Sequence, residues 1–240
     1  QTIRKSCIAA AGDQFAGGKG FAHDPYLVAT AEHLNNVRNY LGAYFKQVND
    51  IVFSASDFVK GGTYYNSGYG WMPIGKDSST AFKGTYDGGG YVIQNIKTNI
   101  TTANSAYGGL FGYSTGTLKN ITMKNGSITV TADGSSYAGG ITGYISGTIE
   151  NCHNENTSVN AQYAGGIAGH AYYPKIISNC TNSGALDGIY VGGIVGMLNS
   201  SQMYNCYSTA TTHASNESSG VITGSMNTSL NRNNPVSVDN

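Results

Sequence analysis

Charge is what this chain has least of. Asp, Glu, Lys and Arg together make up 11% of its 240 residues, against about 25% in an ordinary soluble domain. The formal net charge is zero, and Lys and Arg nowhere form a run. The cationic surface that neutralises several phosphates at once is therefore missing, and nucleic acid is not expected as a partner. No apolar stretch approaches the roughly 18 residues of a membrane-spanning helix, so no membrane insertion is expected. The four cysteines include no C-x-x-C pair, which removes the usual framework of a structural zinc site. Neither a metal nor a cofactor is expected. The chain starts at Gln1 and not at Met, as a processed or trimmed chain would.

Glycine and tyrosine fill the space that charge leaves. There are 34 Gly, about double the usual share, and 18 Tyr against seven Phe and one Trp. Gly and β-branched residues weaken helices. A hydrophobic share of 40% does not suit a disordered chain either. Many short strands joined by tight turns do fit.

The chain repeats. G-G-L-F-G-Y starts at Gly108, G-G-I-T-G-Y at Gly139, G-G-I-A-G-H at Gly165 and G-G-I-V-G-M at Gly192, with a degenerate G-V-I-T-G-S at Gly220. The intervals are 31, 26, 27 and 28 residues. A second signature follows in each unit: L-K-N-I from Leu118, I-E-N-C from Ile149, I-S-N-C from Ile177 and M-Y-N-C from Met203, with an earlier I-Q-N-I from Ile93. Each unit holds two or three short runs of alternating apolar and polar residues between Gly, Asn, Ser or Asp. One such unit cannot bury its own apolar side chains, so units must stack.

Stacking at about 4.8 Å predicts columns of equivalent residues. Leu110, Ile141, Ile167, Ile194 and Ile222 form the first apolar column. Ile93, Leu118, Ile149, Ile177 and Met203 form the second, and Ile96, Ile121, Cys152, Cys180 and Cys206 the third. Asn95, Asn120, Asn151, Asn179 and Asn205 lie between the last two. Asn tolerates left-handed backbone angles and its amides can bond along a ladder, so a buried or half-buried Asn ladder is expected at a corner. The expected fold is a single-stranded right-handed parallel β-helix of three sheets, with an N-terminal capping helix. Residues 1–48 are assigned to the cap, with a short helix near 30–41 that Thr30 can cap and that carries Leu34, Val37 and Leu41 on one face. Residues 49–226 form the solenoid, regular from about residue 82, and residues 227–240 an irregular tail.

The G-G-hydrophobic-x-G motifs, the hydrophobic-x-N-C stretches and the lead-in F-x-G-T-Y-D-G-G-G from Phe82 resemble the GLUG-motif repeat family of bacterial surface and secreted proteins. D-P-Y-L-V-A-T-A-E-H-L-N-N-V-R-N-Y-L from Asp24 looks like the segment that often precedes such repeats. Together these cover roughly residues 15–225. The resemblance implies a β-helix and a cell-surface or extracellular location. Such repeats accompany adhesin-like proteins and non-catalytic parts of larger surface enzymes, including peptidases.

Chemistry is sparse in the repeats. The G-G-x-x-G motif recurs without a following helix, unlike a phosphate-binding fingerprint. The repeat region holds only Asp133, Glu150, Glu155, Asp187 and Glu217 as carboxylates and no Arg. Asp133 and Asp187 each precede Gly and read as turn residues, and Glu150 stands one coil above Lys119 as a surface ion pair. No catalytic residue is assigned. His153 follows Cys152, but strand alternation sends the two to opposite faces. Cys152, Cys180 and Cys206 occupy an apolar column as small hydrophobes would, and one disulfide between adjacent coils lies within Cα range. The disulfide status of these three and of Cys7 stays open.

Tyr137, Tyr163 and Tyr190 each lie two residues before a double Gly and stack on successive coils, while Tyr113 and Tyr144 repeat after it. Such a ladder stabilises a sheet by packing or offers an aromatic platform to a glycan or a host surface protein. The first functional reading is therefore a non-catalytic surface module for adhesion, display or ligand binding, with Tyr137, Tyr163, Tyr190 and Trp71 as candidate ligand-binding residues. The alternatives are an accessory domain of a larger surface peptidase, or a polysaccharide lyase or hydrolase. The enzyme would need paired carboxylates from the irregular region 49–87, where Asp50, Asp57, Lys60, Asp77 and Asp87 accompany Trp71.

Overall fold

The computed structural model describes residues 14–199 and 203–227. Short parallel strands wind into a β-solenoid of about five turns, with one short helix near the N-terminus. One coil shows the path. Thr117–Lys119 belongs to the first sheet, Thr122–Lys124 to the second, Ser127–Ala132 and Ser136–Gly139 to the third, and Thr142–Ile145 to the fourth. Each strand pairs in parallel with its counterparts one coil above and below.

Four sheets stand where three were expected, because the double glycine is itself a corner. A Cβ added at Gly165 would lie 2.0 Å from the carbonyl oxygen of Ala168, so the bend closes only around a residue without a side chain. Just beyond it sits the isoleucine column. Leu110, Ile141, Ile167 and Ile194 are fully buried, and their amides run up the stack, Ile141 to Ile167 at 3.1 Å and Ile167 to Ile194 at 2.9 Å. Burying each such side chain is worth about 1.5–3 kcal/mol.

The other corners turn on asparagine. Asn120, Asn151, Asn179 and Asn205 have φ of 55°, 51°, 54° and 53°, the left-handed region that Asn tolerates. Their side chains form a ladder bonded in two pairs, Asn151 Nδ2 donating to Asn120 Oδ1 at 2.8 Å and Asn205 Nδ2 to Asn179 Oδ1 at 3.3 Å, while the Asn151 Oδ1 bonds to His153 Nε2. This ladder is half-buried at Asn120 and exposed above it, so it is more open than expected. Asn95 does not belong to it. Ile93 pairs with Met123 and with Ile51 in the second sheet, which sets Asn95 at the next corner with Asn125 and Asn156, where φ is again positive. The residue below Leu118 in the first sheet is Tyr86.

In two coils the third sheet folds back on itself. Lys97–Thr102 returns as Ala106–Gly108 and Ser127–Ala132 as Ser136–Gly139, around a second small core that includes Ile128, Val130 and Ala138. In the next coil one strand, Ser158–Gly165, replaces both limbs, which accounts for the step from 31 to 26 residues.

At the N-terminal end, Thr30 caps the helix Ala31–Asn36 by accepting from the His33 amide at 3.1 Å, and Leu34 and Val37 are buried. The helix is shorter than the span 30–41, with a 3₁₀ turn at Val37–Asn39. Strands Tyr26–Val28 and Tyr44–Gln47 already join the first sheet. Residues 228–240, most of the expected tail, and Cys7 lie outside the described residues.

Candidate binding face at the tyrosine ladders

Strand alternation sends Ala138 into the second core and Tyr137 to the opposite face. The same holds one coil up for Ala164 and Tyr163. Four tyrosines consequently stack. Ring centroids are 5.5 Å apart for Tyr107 and Tyr137, 4.8 Å for Tyr137 and Tyr163, and 4.7 Å for Tyr163 and Tyr190, with interplanar angles of 10–16°. Across the glycine bend, the fourth sheet supplies a second row. Tyr113, Tyr144 and His170 are in register on successive coils.

The two rows meet. Tyr107 stands edge-on to Tyr113 at 5.2 Å, and Tyr137 stacks on His170 at 5.2 Å. Tyr172 extends the patch beside Tyr144 and His170. The rings are half-buried, Tyr172 more exposed. Because ladder rings cover one another's faces, what this strip turns outward is mainly ring edges and hydroxyls. Burial raises the phenol pKa of Tyr107, Tyr144 and Tyr163, so the hydroxyls stay protonated and can both donate and accept. Burial lowers the His170 pKa, against a hydrogen bond to Asn199 at 2.7 Å, which favours the neutral ring.

Tyr107 escaped the sequence reading because the first coil is a residue shorter at the bend. Gly108 takes the place of Ala138, so Tyr107 stands one residue before its double glycine. His170 lay in the G-H pair of its own motif, in the slot that Tyr113 and Tyr144 fill.

Trp71 has a different place. It is fully buried, its indole N–H donates to the Leu110 carbonyl at 3.1 Å, and Arg38 lies over the ring at 5.2 Å. It packs with Phe53 and Tyr64 and offers no face to a ligand.

The carboxylates of the irregular region each hold local structure. Asp50 accepts from the Val92 amide, Asp57 completes a capping box with Ser54, and Asp77 takes the amides and hydroxyls of Ser79 and Thr80. Burial would raise the Asp87 pKa, yet bonds from Asn120 and Gly89 and the charge of Lys119 hold it low. Lys60 is exposed. In the repeats, Lys119 pairs downward with Asp87 at 3.5 Å and not upward with Glu150. Asp187 is a strand residue and not a turn residue, bonded to Asn160 and His213. Cys152 is buried, while His153 faces outward to Thr181 and Asn151. Among the described residues no three His, Cys, Asp or Glu side chains gather as metal ligands. No described helix is long and apolar enough to cross a membrane.

No family model matches the sequence. A protein of Evansella cellulosilytica, provisionally named as a Gly-rich membrane protein, is 42% identical over 120 residues. Halomucin of Haloquadratum walsbyi is 36% identical over 121 residues. Each match covers 48% of this chain but only 13% and 1% of those relatives. Among solved structures, a provisionally named immunoglobulin A1 protease from Bacteroides ovatus aligns with 89% of this chain and 75% of its own, at a TM-score of 0.58 and 22% identity. At that identity the likeness is one of architecture, and the chain shares its β-helical fold with that protein.

Proposed function

We propose that the chain is a non-catalytic β-helix module of a cell-surface or secreted protein, and that it holds an extended glycan along the tyrosine strip. The observation that carries this is the convergence of the two rows, Tyr107–Tyr137–Tyr163–Tyr190 and Tyr113–Tyr144–His170, into one strip that runs along the solenoid axis. Its polar groups recur once per coil, about every 4.8 Å, so it suits a linear ligand with repeating hydroxyls better than a compact one. Little surface is enclosed, and affinity per contact is correspondingly modest. The engagement of Asp50, Asp57, Asp77 and Asp87 in separate turns and caps supports the non-catalytic part of the reading over a polysaccharide lyase or hydrolase. The names of the relatives favour a surface location, and that of the Bacteroides ovatus neighbour favours service as an accessory part of a larger surface peptidase.

A glycan array with the purified chain tests it, followed by the double variant Tyr163→Ala/Tyr190→Ala on any ligand found. Loss of at least tenfold in affinity with the fold retained is expected, since each lost bond to a neutral partner is worth about 1 kcal/mol. Full binding by the double variant would remove the strip from recognition.

A further inference from the structure

Cys152, Cys180 and Cys206 stand one above another, on the inner side of the Asn ladder, in three successive coils. None is in a disulfide. We propose that Cys180 and Cys206 are a covalent staple site, closed to a disulfide by a disulfide-bearing oxidant and locking the last described coil to the coil beneath.

The geometry is that of neighbouring in-register strands. The Tyr207 amide donates to the Cys180 carbonyl at 3.0 Å, and Thr181 pairs with Tyr207. Strands so paired lie about 4.8 Å apart, inside the Cα range that a disulfide spans. Each thiol bonds only within its own strand, Cys180 to the Ser178 carbonyl at 3.1 Å and Cys206 to the Tyr204 carbonyl at 3.4 Å, so no other side chain holds the pair apart.

Access separates this pair from the other one in the column. Cys152 and Cys180 are buried and Cys206 is half-buried. Burial pushes the Cys152 thiol up to about 12. Cys206 is the more exposed of the two, and the neighbouring Cys180 holds its thiol below the ordinary value while Cys206 and then burial raise that of Cys180, so Cys206 is the nucleophile and Cys180 the resolving thiol. Cys152 lies two coils from Cys206, about 10 Å, too far to compete.

The steps balance. The Cys206 thiolate attacks one sulfur of the oxidant R–S–S–R and expels one thiolate, leaving a mixed disulfide. Cys180, giving up its proton, attacks the Cys206 sulfur and expels the second. Two cysteine thiols are oxidised, the oxidant's disulfide is reduced to two thiols, and no other reagent is needed.

The last described coil is where a staple matters. Tyr204 and Tyr207 are 40% and 64% exposed there, whereas Ser178 and Thr181, which they pair with one coil below, are buried and half-buried. Joining the coils restricts unwinding of that coil, which its backbone ladder alone would permit.

The test uses the whole chain, reduced, desalted and incubated at pH 8 with oxidised glutathione. The expected product has lost two hydrogen masses, peptide mapping finds Cys180 joined to Cys206, and proteolysis near the last coil slows about tenfold. Cys206→Ser should abolish the bridge and Cys152→Ser should leave it. A product that stops at glutathionylated Cys206, a bridge that maps to Cys7 or Cys152, or no reaction at all would each overturn the proposal. None of these readouts involves glycan binding, so the staple and the strip stand or fall separately.

Discussion

Tyr113 and Tyr144, one coil apart, stack with their ring centroids 4.0 Å apart and their planes within 14°. Burial, and then the neighbouring Tyr113 hydroxyl, raises the Tyr144 pKa. A second group behaves alike beside the buried Trp71, where burial and then the nearby Asp57 push Tyr64 up to about 12.

These shifts predict alkaline sensitivity. A phenol whose folded pKa is raised keeps its proton when the unfolded chain has lost it near pH 10. The stability it contributes is full below pH 10 and is lost as pH rises towards 12. Chemical denaturation between pH 8 and 12 should show a midpoint that is flat to about pH 9.5 and then falls steadily. The part of the phenolate absorbance that belongs to the buried rings should rise together with unfolding and not ahead of it. A midpoint independent of pH up to 12 would contradict the buried phenols.

The isoleucine column should be intolerant of charge. Ile167→Asp places a carboxylate between Ile141 and Ile194, where no cation lies in the column. The cost of an unpaired buried charge exceeds several kcal/mol, comparable to the whole stability of an average domain. The variant should be unfolded at 25 °C by circular dichroism, while Ile167→Val should lose only about 1 kcal/mol. A near-native melting temperature for the Asp variant would refute the register.

At the exposed Asn corner, backbone conformation should outweigh the side-chain bond. Asn151 has φ 51° and donates to Asn120. Asn151→Gly keeps the left-handed angle free of strain, whereas Asn151→Val must force a β-branched residue into it. Denaturant titration should find the Gly variant within about 0.5 kcal/mol of the parent and the Val variant lower by about 2 kcal/mol. Equal losses would mean that the amide ladder, and not the turn, holds the corner.

Much of this fold could be read from residues alone, because stacking writes the same demand into each coil. The columns of Ile141, Ile149 and Cys152 with their equivalents were legible for that reason. The misreadings have physical sources too. I-Q-N-I at Ile93 looks like L-K-N-I at Leu118, but both Asn corners require a left-handed residue after an inward apolar one. The true equivalent of the first is M-K-N-G at Met123. Trp71 is the single tryptophan in an irregular stretch, and nothing local distinguishes an indole buried against Phe53 from one on a surface. Only the Leu110 carbonyl, remote in sequence, settles its side. Tyr137, Tyr163 and Tyr190 were found by their spacing, yet the second row they meet depends on the angle at the glycine bend, which no spacing records.

That each coil touches only the coils above and below has a bearing on growth. A duplicated unit inserted between two existing ones meets the same partners that its parent met, so it needs no compensating change elsewhere. It would lengthen the rod by about 4.8 Å and add one more rung to both aromatic rows. Reach and valence would thus increase together, and tandem duplication alone could tune how much of a long polymer one molecule grips.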